Sequence, residues 1–135
     1  MVIDDNPRTT VEFLERDLTV AVVKVATTGE EALAFLGEHA KSEPAWFPDV
    51  ILLDINMPGM SGFEVLKAIK ADDGLRQIPV VMHSTSPRRE DVIRAYANGA
   101  SGYVPKAIDP DESERLYRLF AEYWGTVSLL PSGCN

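Results

Sequence analysis

The sequence predicts an α/β fold, doubly wound about a parallel sheet, on three observations. Short apolar runs of strand length alternate five times with stretches of helical period. Neither a linker nor an internal repeat interrupts that alternation. The third run, residues 49–53, is dominated by Val, Ile and Leu, as in a strand buried on both faces. It ends at Asp54, ahead of a Pro58-Gly59 turn that no strand or helix continues through. A carboxylate there lies at the sheet edge where open α/β sheets place their ligands.

Each element has its own justification. The first strand is short, Met1-Val2-Ile3, and two carboxylates, Asp4 and Asp5, follow at once. Asn6 and Pro7 suit the cap and first turn of a helix. Val11, Leu14 and Leu18 share one face of it, and its end is expected near Asp17. Residues 20–26, rich in β-branched side chains, read as the second strand. Thr28 and Glu31 form a capping box before a helix whose buried side is Ala32, Leu33, Phe35 and Leu36. Residues 37–48 hold two prolines and no period, and read as a loop in which Trp46 and Phe47 pack locally.

Beyond the third strand, Ser61 and Glu64 make a second capping box, for a helix with Phe63, Leu66 and Ile69 inward. Residues 78–83 read as the fourth strand, closed by Ser84-Thr85-Ser86-Pro87, where Ser86 caps and Pro87 enters the next helix. Gly99 after Asn98 suits the end of that helix. Residues 101–105 form the fifth strand, closed by Lys106. Asp109, Pro110 and Glu112 open a last helix, again by a capping box, running to about Trp124.

Composition bounds the function. The 135 residues are expected to fold as one domain, and 45% of them are apolar, enough for a core without metal or disulfide. Cys134 is the single cysteine, and no apolar run of eighteen residues occurs, so a cytoplasmic setting away from membranes is expected. The net charge of −8, with no basic patch larger than Arg88-Arg89, disfavours nucleic acid as a partner.

Four of the five strands end in groups suited to phosphate chemistry: Asp4 and Asp5, then Asp54, then Ser84, then Lys106. Parallel strands point the same way, so these gather at one edge. Three neighbouring carboxylates need a compensating cation, and a hard divalent ion such as Mg²⁺ suits them. A hydroxyl and an ammonium opposite would hold the oxygens of a phosphoryl group.

On these residues the chain resembles the receiver domain of bacterial two-component response regulators. The resemblance rests on Asp4-Asp5, on Asp54-x-Asn56-Met57-Pro58-x-Met60-x-Gly62, on Ser84, and on Gly99-Ala100-Ser101-Gly102-Tyr103-x-x-Lys106. It spans residues 1–124, leaving 125–135 as a tail. It implies a flavodoxin-like (βα)5 sandwich with sheet order 2-1-3-4-5. It further implies that Asp54 accepts a phosphoryl group from a histidine kinase. Asp5 would bind Mg²⁺ directly and Asp4 through water, with Asp54 and the backbone carbonyl of Asn56 completing the protein ligands. Ser84 would donate its hydroxyl to the phosphoryl group and Lys106 would pair with it. Ser84 and Tyr103 would form a switch couple that reshapes a surface read by a downstream protein.

Other readings are weaker. An aspartyl phosphatase of the haloacid-dehalogenase type wants an Asp two residues after the nucleophile, where this chain has Asn56, so an enzyme is not expected. An unphosphorylated receiver-like scaffold does not explain the intact acidic set. His83 reads as a packed strand side chain. Three departures from the family matter. The first strand is short. Ser86 is smaller than the acidic or amide groups of fast-dephosphorylating members, which implies a long-lived phosphoryl group. Ala107 stands where receivers carry proline after the lysine, so the Lys106–Ala107 bond is expected to be trans.

The length leaves no room for a DNA-binding module after the last helix, so a stand-alone switch is expected. The tail Trp124-x-x-Val127-Ser128-Leu129 and the Ser84-Thr85-Ser86 strand end resemble stand-alone regulators serving phytochrome-type kinases, which implies a bacteriophytochrome as the kinase. In the last helix Leu116, Leu119, Phe120 and Tyr123 follow a core spacing. Tyr117 and Trp124 form a second stripe, and Val127, Leu129 and Leu130 lie in a segment with no predicted element. That apolar surplus predicts a homodimer.

Overall fold

In a computed structural model, five parallel strands form one sheet in the order β2-β1-β3-β4-β5. The structure describes residues 1–16, 22–42, 48–85 and 88–130, with the side chains of 39–42 left aside. Asp17, Leu18, the start of the predicted second strand, Trp46, Phe47, Ser86, Pro87 and Cys134 lie outside the described residues. In chain order the elements are β1 (Val2–Ile3), α1 (Arg8–Glu15), β2 (Val25–Ala26), α2 (Gly29–Ser42) and β3 (Ile51–Asp54). There follow α3 (Gly62–Ala71), β4 (Val80–Ser84), α4 (Arg89–Ala97), β5 (Gly102–Pro105) and α5 (Pro110–Glu122).

Strand alternation sorts the core into two layers. Ile3, Ile51, Leu53, Val80 and Met82 pack against Ala32, Leu36, Phe63 and Leu66 of α2 and α3. Val2, Leu52 and Val81 point the other way, against Leu14 of α1 and Tyr117 of α5. Each fully buried apolar side chain contributes about 1.5–3 kcal/mol, so the inner strands β3 and β4 are the chief apolar anchors. The winding reverses between β1 and β3, and that switch point is where the two acidic strand ends meet.

Local signals explain most boundaries. The Ser61–Glu64 capping box is formed in both directions. Thr28 caps α2 by accepting from the Glu31 N–H, while the Glu31 carboxylate reaches back to Thr27. Asp109 accepts from Asp111 N–H with Pro110 in the first turn, but the reciprocal arm is missing because Glu112 pairs with Arg115.

Several expectations need correction. The first helix starts at Arg8 with Pro7 at the cap position and no side-chain cap bond, while the Asn6 N–H is taken by the Asp4 carboxylate. The second helix runs on to Ser42, through residues read as loop. Gly37 is tolerated there at a cost of about 1 kcal/mol, and Glu38, Ala40 and Lys41 are good helix formers. Among the described residues, regular pairing in β2 is limited to Val25–Ala26. The predicted inward face of α5 holds only in part: Phe120 packs against the core layer and Leu116 is half-buried. Ser113, Tyr117 and Ala121 form the buried stripe, while Leu119 and Tyr123 are exposed and Trp124 packs partly against the Tyr117 layer. Val127 is not in an unstructured tail: Tyr123–Val127 continue α5 as a π-helical turn, closed by Ser128 N–H to Tyr123 O at 2.7 Å. The Lys106–Ala107 peptide is trans, as expected.

Candidate functional site

The site is assembled by strand register. Ile3 of β1 lies beside Leu53 of β3, so Asp4 and Asp54, each one residue further, stand side by side at the sheet edge. Asp5 joins them from the following turn, and oxygens of the three carboxylates lie within 4.8 Å of one another. Asp4 and Asp54 are almost fully buried, whereas Asp5 is exposed. Backbone donors orient the buried pair: Asn6 N–H to Asp4 Oδ1 at 2.9 Å, and Asn56 N–H to Asp54 Oδ1 at 3.2 Å. Gly62 closes the turn after Asp54 with its N–H on the Ile55 carbonyl. A Cβ at Gly62 would lie 2.2 Å from the Asp54 carbonyl oxygen, so this approach of α3 to β3 requires glycine.

Lys106 reaches into this cluster from the end of β5. Its Nζ sits 2.8 Å from Asp4 Oδ2 and 3.4 Å from Asp54 Oδ2. Burial pushes Asp54 up to about 6; the Lys106 charge opposes this and Asp4 adds to it. Burial would raise Asp4 too, but the Lys106 hydrogen bond and the Asn6 N–H hold it below the ordinary carboxylate range. Burial would depress Lys106, and the two carboxylates outweigh that and raise it. One ammonium thus faces three carboxylates. The surplus negative charge and the all-oxygen donor set fit a hard divalent cation, with the exposed Asp5 on the solvent side.

Ser84 ends β4 one residue after His83, which pairs in register with Asp54. Ser84 is buried, and its carbonyl accepts the Lys106 N–H at 2.7 Å. Tyr103 packs against the α2–α3 layer, and its hydroxyl oxygen is enclosed without a hydrogen bond of good geometry. Burial raises its titration, and Ser84 is the hydroxyl close enough to pull against that shift. The structure therefore brings together Asp4, Asp5, Asp54, Ser84, Lys106 and the backbone of Asn56, with Tyr103 behind Ser84.

Beneath this cluster, on the α1–α5 side, lies a polar chain that the sequence did not disclose. His83 Nδ1 is 2.8 Å from Val104 O, and Nε2 is 2.7 Å from the Tyr117 hydroxyl. Tyr117 Oη also meets Thr10 Oγ1 at 2.9 Å, and its ring stacks on Phe13. Burial drives His83 down to about 4, so it is neutral. The usable sequence signal was the i, i+4, i+8 spacing of Ser113, Tyr117 and Ala121, which the greater hydrophobicity of Leu119 and Phe120 obscured.

Comparison with known proteins bears on this geometry. Residues 1–118 match the family model of the response regulator receiver domain. The chemotaxis protein CheY of Pseudomonas aeruginosa is 34% identical over 123 residues, covering 89% of this chain and 94% of that one. Among solved structures, the Mn²⁺-bound form of response regulator Rcp1 superposes with a TM-score of 0.85 at 29% identity, covering 96% of both chains. The phosphorylated cyanobacterial phytochrome response regulator RcpA gives 0.83 at 30% identity, covering 96% of this chain and 95% of that one. Other relatives are longer: the chain spans 61% of FilR2 of Methanothrix harundinacea and 23% of PleD of Caulobacter vibrioides. Among the described residues, no helix is long and apolar enough to cross a membrane.

Proposed function

The chain belongs to the response regulator receiver domain family, and from that premise we propose that it is a phosphorylation switch whose acceptor is Asp54. The observation that carries this reading is the convergence of Asp4, Asp5, Asp54 and Lys106 at one sheet edge. An Asp54 carboxylate oxygen attacks the phosphorus of a phosphohistidine. The new P–O bond forms as the P–N bond breaks, and the departing imidazole keeps the electron pair and takes a proton from solvent. Lys106, already paired with Asp54, neutralises charge on the transferring oxygens. Ser84 donates its hydroxyl to a phosphoryl oxygen, and Tyr103 follows into the space behind it. Asp5, Asp4, Asp54 and the Asn56 carbonyl would hold Mg²⁺, which supplies further charge neutralisation. Phosphorylation adds negative charge to a pocket with a single ammonium, and that biases the β4–α4 and β5–α5 surfaces toward a second arrangement.

The test is incubation with acetyl phosphate. One phosphoryl mass should appear in Mg²⁺ and none after chelation, and Asp54→Asn should take no label. Label on Asp54→Asn refutes the assignment. For the kinase, the likeness to RcpA and to the bacteriophytochrome response regulator AtBRR, 33% identical over 95% of this chain, supports a bacteriophytochrome-type donor. Phosphotransfer from a panel of purified histidine kinases decides it. A homodimer through α5 is part of the same proposal. It is supported by the exposed Leu119, Tyr123 and Val127 beside an apolar groove of about 340 Å³ between β5 and α5.

A further inference from the structure

Lys106 is delivered from a weak place in the sheet. The strand β5 lies at the edge, with a neighbour on one side only, and ends in Pro105, which offers no N–H to the ladder. The next residue is Ala107, so no proline ring stiffens the chain beyond the lysine. Yet the backbone from Val104 to Ala107 is held at three points. Its own N–H bonds Ser84 O at 2.7 Å. Two residues before it, His83 Nδ1 meets the Val104 carbonyl at 2.8 Å. One residue after it, Ser113 Oγ donates to the Ala107 carbonyl at 3.0 Å.

Both flanking contacts lead to α5. Ser113 is buried on that helix, one turn before Tyr117. Tyr117 fixes the His83 ring through Nε2 and is itself fixed by Thr10 and by stacking on Phe13. A carbonyl only accepts, so His83 carries its hydrogen on Nδ1 and receives the Tyr117 hydroxyl at Nε2. The seating of α5 is thereby transmitted to both sides of Lys106.

We propose that Ser113 and His83 are positioning residues for Lys106, bracing from α5 and β4 a loop that this chain does not stiffen with proline. The role rests on Asp54 being the acceptor that Lys106 serves. Neither side chain is expected to touch the phosphoryl group. Their effect is to keep the ammonium aimed at Asp54 when the transferring oxygens arrive.

The test compares wild type, Ser113→Ala, His83→Phe, Ala107→Pro and the Ser113→Ala/Ala107→Pro pair, using acetyl phosphate as donor. Ser113→Ala and His83→Phe should each label about fivefold more slowly, with calorimetric Mg²⁺ affinity within about twofold of wild type, because the Asn6 and Asn56 N–H groups that orient Asp4 and Asp54 are untouched. Adding Ala107→Pro to Ser113→Ala should recover most of the rate, since a residue before proline is confined to extended backbone. Wild-type labelling rates in both single variants overturn the proposal. So does a rate loss that Ala107→Pro leaves unchanged, or one matched by loss of Mg²⁺ affinity. The bracing is also read without a phosphodonor, as hydrogen exchange at the Lys106 amide. That exchange should quicken about tenfold in Ser113→Ala, and unchanged exchange overturns the bracing. A wild type that takes no label at Asp54 is a different failure, that of the acceptor assignment.

Discussion

Tyr117 on α5 gives its hydroxyl hydrogen to His83 Nε2 on β4 at 2.7 Å, across 34 residues of sequence. The bond closes a chain from Thr10 on α1 to the Val104 carbonyl on β5, so four elements on one side of the sheet share one buried polar path. Tyr117→Phe keeps the ring against Phe13 but leaves His83 Nε2 and Thr10 Oγ1 without their partner. Leaving buried polar atoms unpaired costs about 1–3 kcal/mol. Urea unfolding should show that loss as a lower midpoint with unchanged slope. A midpoint equal to wild type would mean that the path is replaced by water at no cost.

Two buried groups give stability opposing pH dependences in the metal-free protein. His83 is pushed down to about 4 from 6.5, so between those values the unfolded chain binds the extra proton. Stability from His83 therefore rises with pH across about 4–6.5 and is fully present above. Asp54 is pushed up to about 6 from 3.8, so there the folded chain binds the extra proton. Its contribution is present below 3.8 and is lost as pH rises to about 6. The two oppose each other in wild type. Asp54→Asn should unmask a rise on the order of 3 kcal/mol between pH 4 and 6.5, and His83→Phe a fall over 4–6. Denaturant titrations in chelator at several pH values check both signs.

Two glycines inside helices should respond oppositely to alanine. A Cβ at Gly62 would meet the Asp54 backbone at 2.2 Å, so α3 must move away from the acceptor. Gly62→Ala should cost at least about 2 kcal/mol and also weaken Mg²⁺ binding. At Gly37 a Cβ meets nothing within 4 Å, and Gly37→Ala should add about 0.5–1 kcal/mol. Thermal melts with and without Mg²⁺ distinguish the two.

The dimer is best tested on the residues that are outside. Leu119 is 46% and Tyr123 51% exposed, whereas Tyr117 is buried and its removal would damage the fold. Light scattering at micromolar concentration should give twice the chain mass for wild type. Leu119→Glu with Tyr123→Glu should return the single-chain mass, with a cooperative melt that no longer depends on protein concentration. A wild type that is monomeric both free and phosphorylated rules the assembly out.

Much of this was legible before the structure. Continuous apolar runs identified the buried strands, and the Ser61–Glu64 box placed the start of α3 to the residue. The acidic pairing was legible because parallel strands bring their ends to one edge, so Asp4, Asp54 and Lys106 needed only strand ends and a sheet order to meet. Boundaries carried by weaker signals slipped. Pro7, not Asn6, holds the cap position of α1, and the loop predicted after Gly37 is a continuing helix.

By itself, then, the sequence determined the alternation of elements, the two-sided core and the chemistry gathered at the strand ends. These follow from period, from caps and from the common direction of parallel strands, all local or topological facts. Only the tertiary structure decided which face of α5 is buried, and with it the bond between Tyr117 and His83. Hydrophobicity ranks Leu119 above Tyr117 for burial. A tyrosine whose hydroxyl finds two buried partners, on α1 and β4, satisfies its polar atom and goes inside, and partners 107 and 34 residues away leave no trace in local pattern.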